Sequence, residues 1–173
     1  VSDRHPVLAR YNAWANHKLY RAVEALPDAE FRADRGVFFK SLRGTLNHLL
    51  VTDRVWMARF TGAKTGPLQL DTILHDDFAS LQAAREAEDT RIIGYVDGLD
   101  AAASAGTFTY QRMSSLETYV AELRPALDHL FNHQTHHRGQ AHAVLTGLGV
   151  EAPVLDLARF YGEVGHGGLI RIA

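Results

Sequence analysis

Apolar residues recur at steps of three and four along four separate stretches of this sequence, and that periodicity limits the fold more than any other feature. The first stretch runs from about Pro6 to Ala25, with Leu8, Tyr11, Ala15, Leu19 and Ala22 on one face and Pro27 beyond its end. The second runs from about Ser41, a suitable N-cap, to Phe60; Leu42, Leu46, Leu49, Leu50 and Met57 form its stripe, and TGAKTGP ends it. The third spans roughly Asp76 to Leu99, with Phe78, Leu81, Ile92 and Tyr95 inward and the charge run REAEDTR expected on its solvated face. The fourth starts near Pro125 and stops at Leu148, where a glycine follows. The spacing predicts an all-α four-helix bundle, with residues 1–173 forming a single domain.

The connection from Thr61 to His75 is longer than an antiparallel helix pair needs, which suits a second and third helix that run parallel. GTFTYQR alternates and is expected to be extended, as part of a short strand pair. TYQRMSSLETY and YGEVGHGG are read as ordinary connections, with a position over a site mouth as the alternative, and Trp14 and Trp56 as core residues rather than ligand stackers. A net charge of -2 gives no reason to expect a nucleic acid partner. No apolar run approaches the ~20 residues that span a bilayer, so no membrane partner is expected. VSDRHPVLARYNAW lacks the apolar core of a secretory signal, and the expected location is cytoplasmic. There are no cysteines, which excludes thiolate metal sites and a thiol nucleophile from the chain itself. Sulfur chemistry would need a thiol supplied as co-substrate.

Three of the ten histidines fall within FNHQTHHRGQ, inside the fourth helix. At about 100° per residue, His137 falls on the apolar face of Leu130, Ala141 and Val144, and His133 lies on its flank. Side chains four apart sit one above the other, so both imidazoles reach one point. A lone histidine there is ordinarily a satisfied bundle residue; an i, i+4 pair beside a core stripe is equally well half of a metal site. His136 and His142 point elsewhere, and His129 points further out. Gln134 follows the first histidine, so the glutamate base of an HExxH protease helix is missing. The one Glu-x-x-His spacing, Glu163 to His166, lies in the glycine-rich tail and argues against di-iron chemistry. A third ligand must come from another helix, and the second offers two. Asp53 projects near the centre of its apolar stripe and His48 toward the edge; the helical wheel does not choose between them.

Taken together, YNAWAN in the first helix, SLRGTLNHLLVTDRVWMARFTG in the second, LFNHQTHHRGQAHAVLTGLG in the fourth and DLARFY near the end resemble the DinB family of DinB/YfiT-like metalloenzymes. The resemblance covers nearly the whole chain, in order. It implies an up-down-down-up bundle and one divalent metal ion per chain on His48, His133 and His137, with Asp53, Arg138 and Gln140 nearby or facing substrate. It also implies a tendency to form homodimers. Arg138, directly after a ligand, either binds a substrate anion or pairs with an acid such as Asp53 or Asp128.

Three neutral imidazoles leave open coordination positions and a full dipositive charge, and nitrogen-only ligation suits zinc, nickel or iron alike. Such a site favours an anionic ligand. The superfamily this chain resembles includes thiol-dependent S-transferases and isomerases, so the leading expectation is a transferase acting on a small molecule with a low-molecular-weight thiol. The alternatives are a metal-dependent hydrolase, with Asp53 as the candidate base, and a non-catalytic, metal-stabilised stress-response or binding module.

Overall fold

Two of the long helices start where a side chain accepts from a backbone N–H that the first turn leaves unpaired, and a third starts at a proline, which has no N–H to satisfy. The structure, a computed structural model, describes residues 4–64, 66, 68–112, 115 and 117–164. Its elements are α1 (His5–Glu24), α2 (Asp28–Arg32), α3 (Leu42–Thr61), α4 (Phe78–Asp97), α5 (Ala101–Ser104), β1 (Thr107–Gln111), β2 (Thr118–Glu122), α6 (Leu123–Gly147) and α7 (Leu157–Val164). Pro6 sits in the first turn of α1. Ser41 caps α3 by accepting from the Gly44 N–H at 3.0 Å, and Gly62 ends it with φ 69°. Asp77 caps α4 through the Ser80 N–H at 2.8 Å, which sets its start at Phe78. Gly149, at φ 72°, follows the end of α6.

The four long helices form a ring in which α1 and α3 each pack on both α4 and α6. Contacts between them fix the directions. Arg10 meets Asp97 while Asn16 meets Asp89, so α1 and α4 are antiparallel. Asp53 meets Arg85 and Arg54 meets Glu88, so α3 and α4 run parallel. His48 faces His133 and Trp56 faces His129, which makes α3 antiparallel to α6. His5 meets Asp128 and Asn12 meets Arg138, so α1 and α6 are parallel. The order is up-down-down-up, and the long connection after α3 carries the chain back along the bundle.

Two apolar clusters fill the ring. Leu19, Leu42, Leu46, Leu50, Leu81 and Leu145 pack one end, and Met57, Ile92, Val96, Leu127 and Leu130 the other. Between them every helix contributes buried polar side chains: Asn12 and Asn16, Asp53, Arg85 and Asp89, Gln134 and Arg138. This layer corrects the expectation for REAEDTR. Arg85, Glu88 and Asp89 are buried, while Glu86, Thr90 and Arg91 are exposed. The reason is spacing: Arg85, Glu88, Asp89 and Ile92 follow three- and four-residue steps and share the inward face of α4.

GTFTYQR is β1, paired antiparallel with β2 in a two-stranded hairpin with Tyr110 opposite Tyr119. Tyr110 tilts against Trp56, whose ring also meets Phe60 and His129, so Trp56 is part of an aromatic cluster beside the hairpin. In TYQRMSSLETY, residues 113, 114 and 116 lie outside the described residues. α7 packs on α1 through Phe160 against Tyr11 and Trp14, and Glu163 accepts from the Trp14 indole N–H at 2.8 Å. His166 and the rest of YGEVGHGG beyond residue 164 lie outside the described residues.

Candidate metal centre

Because α3 and α6 run antiparallel, His48 lies opposite His133 and His137. One ring nitrogen from each lies within 4.8 Å of the other two, and among the described residues the cluster contains no carboxylate. His48 Nε2 is 3.3 Å from His133 Nε2. The ring of His137 is 4.4 Å from that of His133 and 4.5 Å from that of His48, between centroids.

Two of the rings are held by their outer nitrogens. His48 Nδ1–H donates to the Leu70 carbonyl at 2.7 Å, and His137 Nδ1–H to Gln140 Oε1 at 2.9 Å. Oxygens of this kind only accept, so each Nδ1 carries the proton and each Nε2 turns a lone pair inward. The Gln140 amide nitrogen donates in turn to His136 Nε2 at 3.2 Å, which fixes the orientation of that amide. Backbone carbonyls and side-chain oxygens on the outer nitrogen are the usual partners of metal-ligating histidines.

Leu70 reaches His48 because of the residue before it. Asn47 is fully buried; its oxygen accepts from the Leu74 and His75 N–H groups at 2.8 and 3.0 Å, and its nitrogen donates to the His75 carbonyl at 3.0 Å. This clamp fastens the long connection to α3. On another side of the cluster, Phe39 stacks on His48 with centroids 3.7 Å apart and planes 19° apart.

Burial, assisted by the neighbouring His137, lowers the His48 pKa to about 4 despite the opposing Leu70 hydrogen bond. Burial and the other imidazoles take His133 down to about 3, and burial also lowers His137. All three are therefore neutral at neutral pH, the form that ligates. Two neutral nitrogens 3.3 Å apart match the edge of a tetrahedral site with bonds of about 2.0–2.1 Å. The donor set fits a divalent ion.

Asp53, the rival to His48, is engaged elsewhere. Its carboxylate lies 2.7 Å from the Arg85 guanidinium and accepts from Gln134 Nε2 at 2.5 Å. Burial raises its pKa to about 6 against the pull of Arg85, and Arg85 itself, though desolvated, is held above its usual value by Asp89 and Asp53. Arg138 does not pair with Asp53 or Asp128. It is buried and donates to the side-chain oxygens of Asn12 and Asn16 and to Thr135 Oγ1, not to a carboxylate. Asp128 is taken by Arg4 and His5. Sequence reasoning passed over Asn12, Asn16, Arg85, Asp89 and Gln134. A signal existed: Asn12 with Asn16, Arg85 with Asp89 and Gln134 with Arg138 are all four apart, and asparagine is a poor residue for a helix interior.

Fold and cluster together define an up-down-down-up helical bundle with three histidines converging between antiparallel helices. The chain belongs to the DinB family, whose sequence profile matches residues 2–163. Protein DinB of Bacillus subtilis (strain 168) is 27% identical over 171 residues, covering 90% of this chain and 92% of that protein. Among solved structures, YfiT from Bacillus subtilis is described as a probable metal-dependent hydrolase with an unusual four-helix bundle topology. It superposes with a TM-score of 0.68 at 14% identity, over 87% of this chain and 91% of YfiT. A DinB-like protein from Bacillus cereus ATCC 10987 gives a TM-score of 0.58 at 15% identity, over 82% of this chain and 90% of its own. Among the described residues no helix is long and apolar enough to cross a membrane.

Proposed function

We propose that this protein is a metal-dependent enzyme that holds one divalent ion on His48, His133 and His137 and activates a low-molecular-weight thiol for transfer to an electrophilic small molecule. One observation carries the reading: three neutral imidazoles converge without a carboxylate among them, and the outer nitrogens of His48 and His137 rest on uncharged oxygens. Nothing in that set offsets the charge of a bound ion. When present, the ion supplies a Lewis acid that favours the anionic form of a thiol or water brought to it. Zinc, nickel and iron all suit nitrogen-only ligation.

The chain's own residues orient and shield. Leu70 and Gln140 fix the faces that His48 and His137 present, and Phe39 closes one side against water. Asp53 is unsuited to act as the base that a water nucleophile needs, because Arg85 and Gln134 already hold it. That weighs toward a thiol, which loses its proton far more readily than water does. A hydrolase is the second reading, favoured by the description of YfiT. A non-catalytic role, in which the ion simply ties α3 to α6, is the third. A homodimer is the assembly that the family resemblance supports.

The test is a titration of the cobalt-loaded protein with a panel of small thiols, alongside a coupled assay with a bimane electrophile. The thiol reading predicts a sulfur-to-metal charge-transfer band and metal-dependent bimane conjugation, both absent in His133→Ala. Metal-dependent ester or amide cleavage without a thiol would instead support the hydrolase. Neither activity in a metal-loaded protein would leave the structural role.

A further inference from the structure

Phe39 sits in a tight reversal just ahead of α3. The Arg35 N–H donates to the Lys40 carbonyl at 2.6 Å, and the Lys40 N–H to the Val37 carbonyl at 2.7 Å. The reversal closes with Lys40 in a left-handed conformation, φ 67°, the one non-glycine residue with positive φ among those described. A lysine there carries backbone strain that a glycine would not.

A second departure from ordinary preference acts on the same residue. The Phe39 carbonyl accepts from the Ser41 N–H at 2.8 Å and lies where a side chain on residue 44 would begin; a Cβ on Gly44 would overlap that oxygen. Gly44 has no turn to make. It is buried in the first turn of α3, where only a bare α-carbon admits the Phe39 backbone.

What the two departures achieve is the placement of one ring. Phe39 lies face to face with His48 and meets the edge of His137, with centroids 5.5 Å and planes 61° apart. Its neighbour Phe38 is 81% exposed and packs edge-on against Phe39 at 4.9 Å. The bond from His48 to Leu70 sets where one edge of the imidazole points but leaves its plane free to tilt. A stacked ring removes that freedom.

We propose that Phe39 is a positioning residue of the metal centre, fixing the plane of His48 so that Nε2 faces His133 and His137, and that left-handed Lys40 and bare Gly44 serve to hold it there. The proposal rests on His48 being a ligand, as argued above. It adds a positioning role to a residue outside the histidine set and explains a buried glycine in the first turn of α3.

The test uses the full chain, metal-free and cobalt-loaded, with Phe39→Ala, Phe39→Tyr, Gly44→Ala and Phe38→Ala compared by circular dichroism for folding. In the metal-free protein the His48 ring protons are expected upfield, under the ring current of Phe39. They move downfield in Phe39→Ala and Gly44→Ala but not in Phe38→Ala. Cobalt affinity is expected to fall about 10- to 100-fold in the first two with an altered ligand-field spectrum, and Phe39→Tyr restores both. Wild-type ring shifts, spectrum and affinity in Phe39→Ala would overturn the proposal. If Gly44→Ala does not fold, the partly exposed Phe39 position carries the test alone. If the wild type itself takes up no cobalt, the metal reading fails, and nuclear Overhauser contacts from the His48 ring to Leu70 and His133 still decide the matter: kept in Phe39→Ala, they show that Phe39 does not orient His48.

Discussion

Asp53 of α3 and Arg85 of α4 face one another at 2.7 Å with both side chains almost wholly buried, and this pairing decides which residue of α3 is left to the histidine cluster. The two helices run parallel, so the pair cross-links the middle of the bundle between its apolar ends. Gln134 completes the link to α6 by donating to Asp53 and to the Leu49 carbonyl, at 3.1 Å in the latter case. Asp53, at the centre of the apolar stripe, thus ties the helices together, while His48, at its edge, faces His133.

Asp53→Ala leaves Arg85 buried without one of its two carboxylates. Breaking a buried ion pair from one side costs about 3–5 kcal/mol, so the urea midpoint falls sharply. Metal content per folded chain is expected to stay at the wild-type level, because Asp53 is held by Arg85 and Gln134 and lies outside the histidine cluster. Loss of the metal with little loss of stability would reverse the two roles.

Gln140→Leu has the opposite signature. It removes the acceptor for His137 Nδ1–H, and partners of that kind are worth about 10- to 100-fold in metal affinity. The metal-free protein unfolds within about 0.5 kcal/mol of wild type, since Gln140 links residues of a single helix turn. Competition with a chelating indicator measures the first effect and denaturant titration the second.

Arg138→Met keeps the length of the side chain but strands the Asn12 and Asn16 oxygens in the polar layer. Each buried group left unpaired costs about 1–3 kcal/mol, and the melting temperature drops accordingly. Thiol and electrophile saturation constants, measured on the folded variant, are expected to be unchanged, because Arg138 is buried with its donors on Asn12, Asn16 and Thr135. A large rise in either would restore the anion-binding role.

The docking of α7 on α1 is expected to depend on pH. Glu163 accepts from Trp14, Arg159 and Lys18, and these bonds hold its pKa at about 2, below the ordinary carboxylate value. A depressed carboxylate contributes stability above its unfolded pKa, near 4.3, and loses it as pH falls toward the folded value. In a Trp56→Phe background, Trp14 fluorescence therefore changes between about pH 4.5 and pH 2, and Glu163→Gln flattens that change. A Trp14 transition of equal size in Glu163→Gln would contradict the assignment.

Much of this was legible in the sequence. Apolar periodicity located the long helices to within a few residues, because each must bury a stripe against its neighbours. The i, i+4 pair His133 and His137 marked the site for the same geometric reason. His48 was not separable from Asp53 on a helical wheel, since burial on α3 extends across faces that meet two different helices. Arg85 and Asp89 read as solvated because local charge density says nothing about partners on other helices. Phe39 left no pattern at all: its place depends on the backbone angle of Lys40 and the missing side chain of Gly44, which no periodicity records.

The proposed hold of His48, His133 and His137 on a divalent ion underlies the functional predictions above. Its most direct test is metal content by plasma mass spectrometry on protein purified without an affinity tag, with wild type beside His133→Ala. About one ion per chain is expected in the wild type, with loss of that ion in a variant that still folds as a bundle. No ion in either protein, even after incubation with zinc, nickel or iron, would contradict it and leave the three imidazoles as packing residues of α3 and α6.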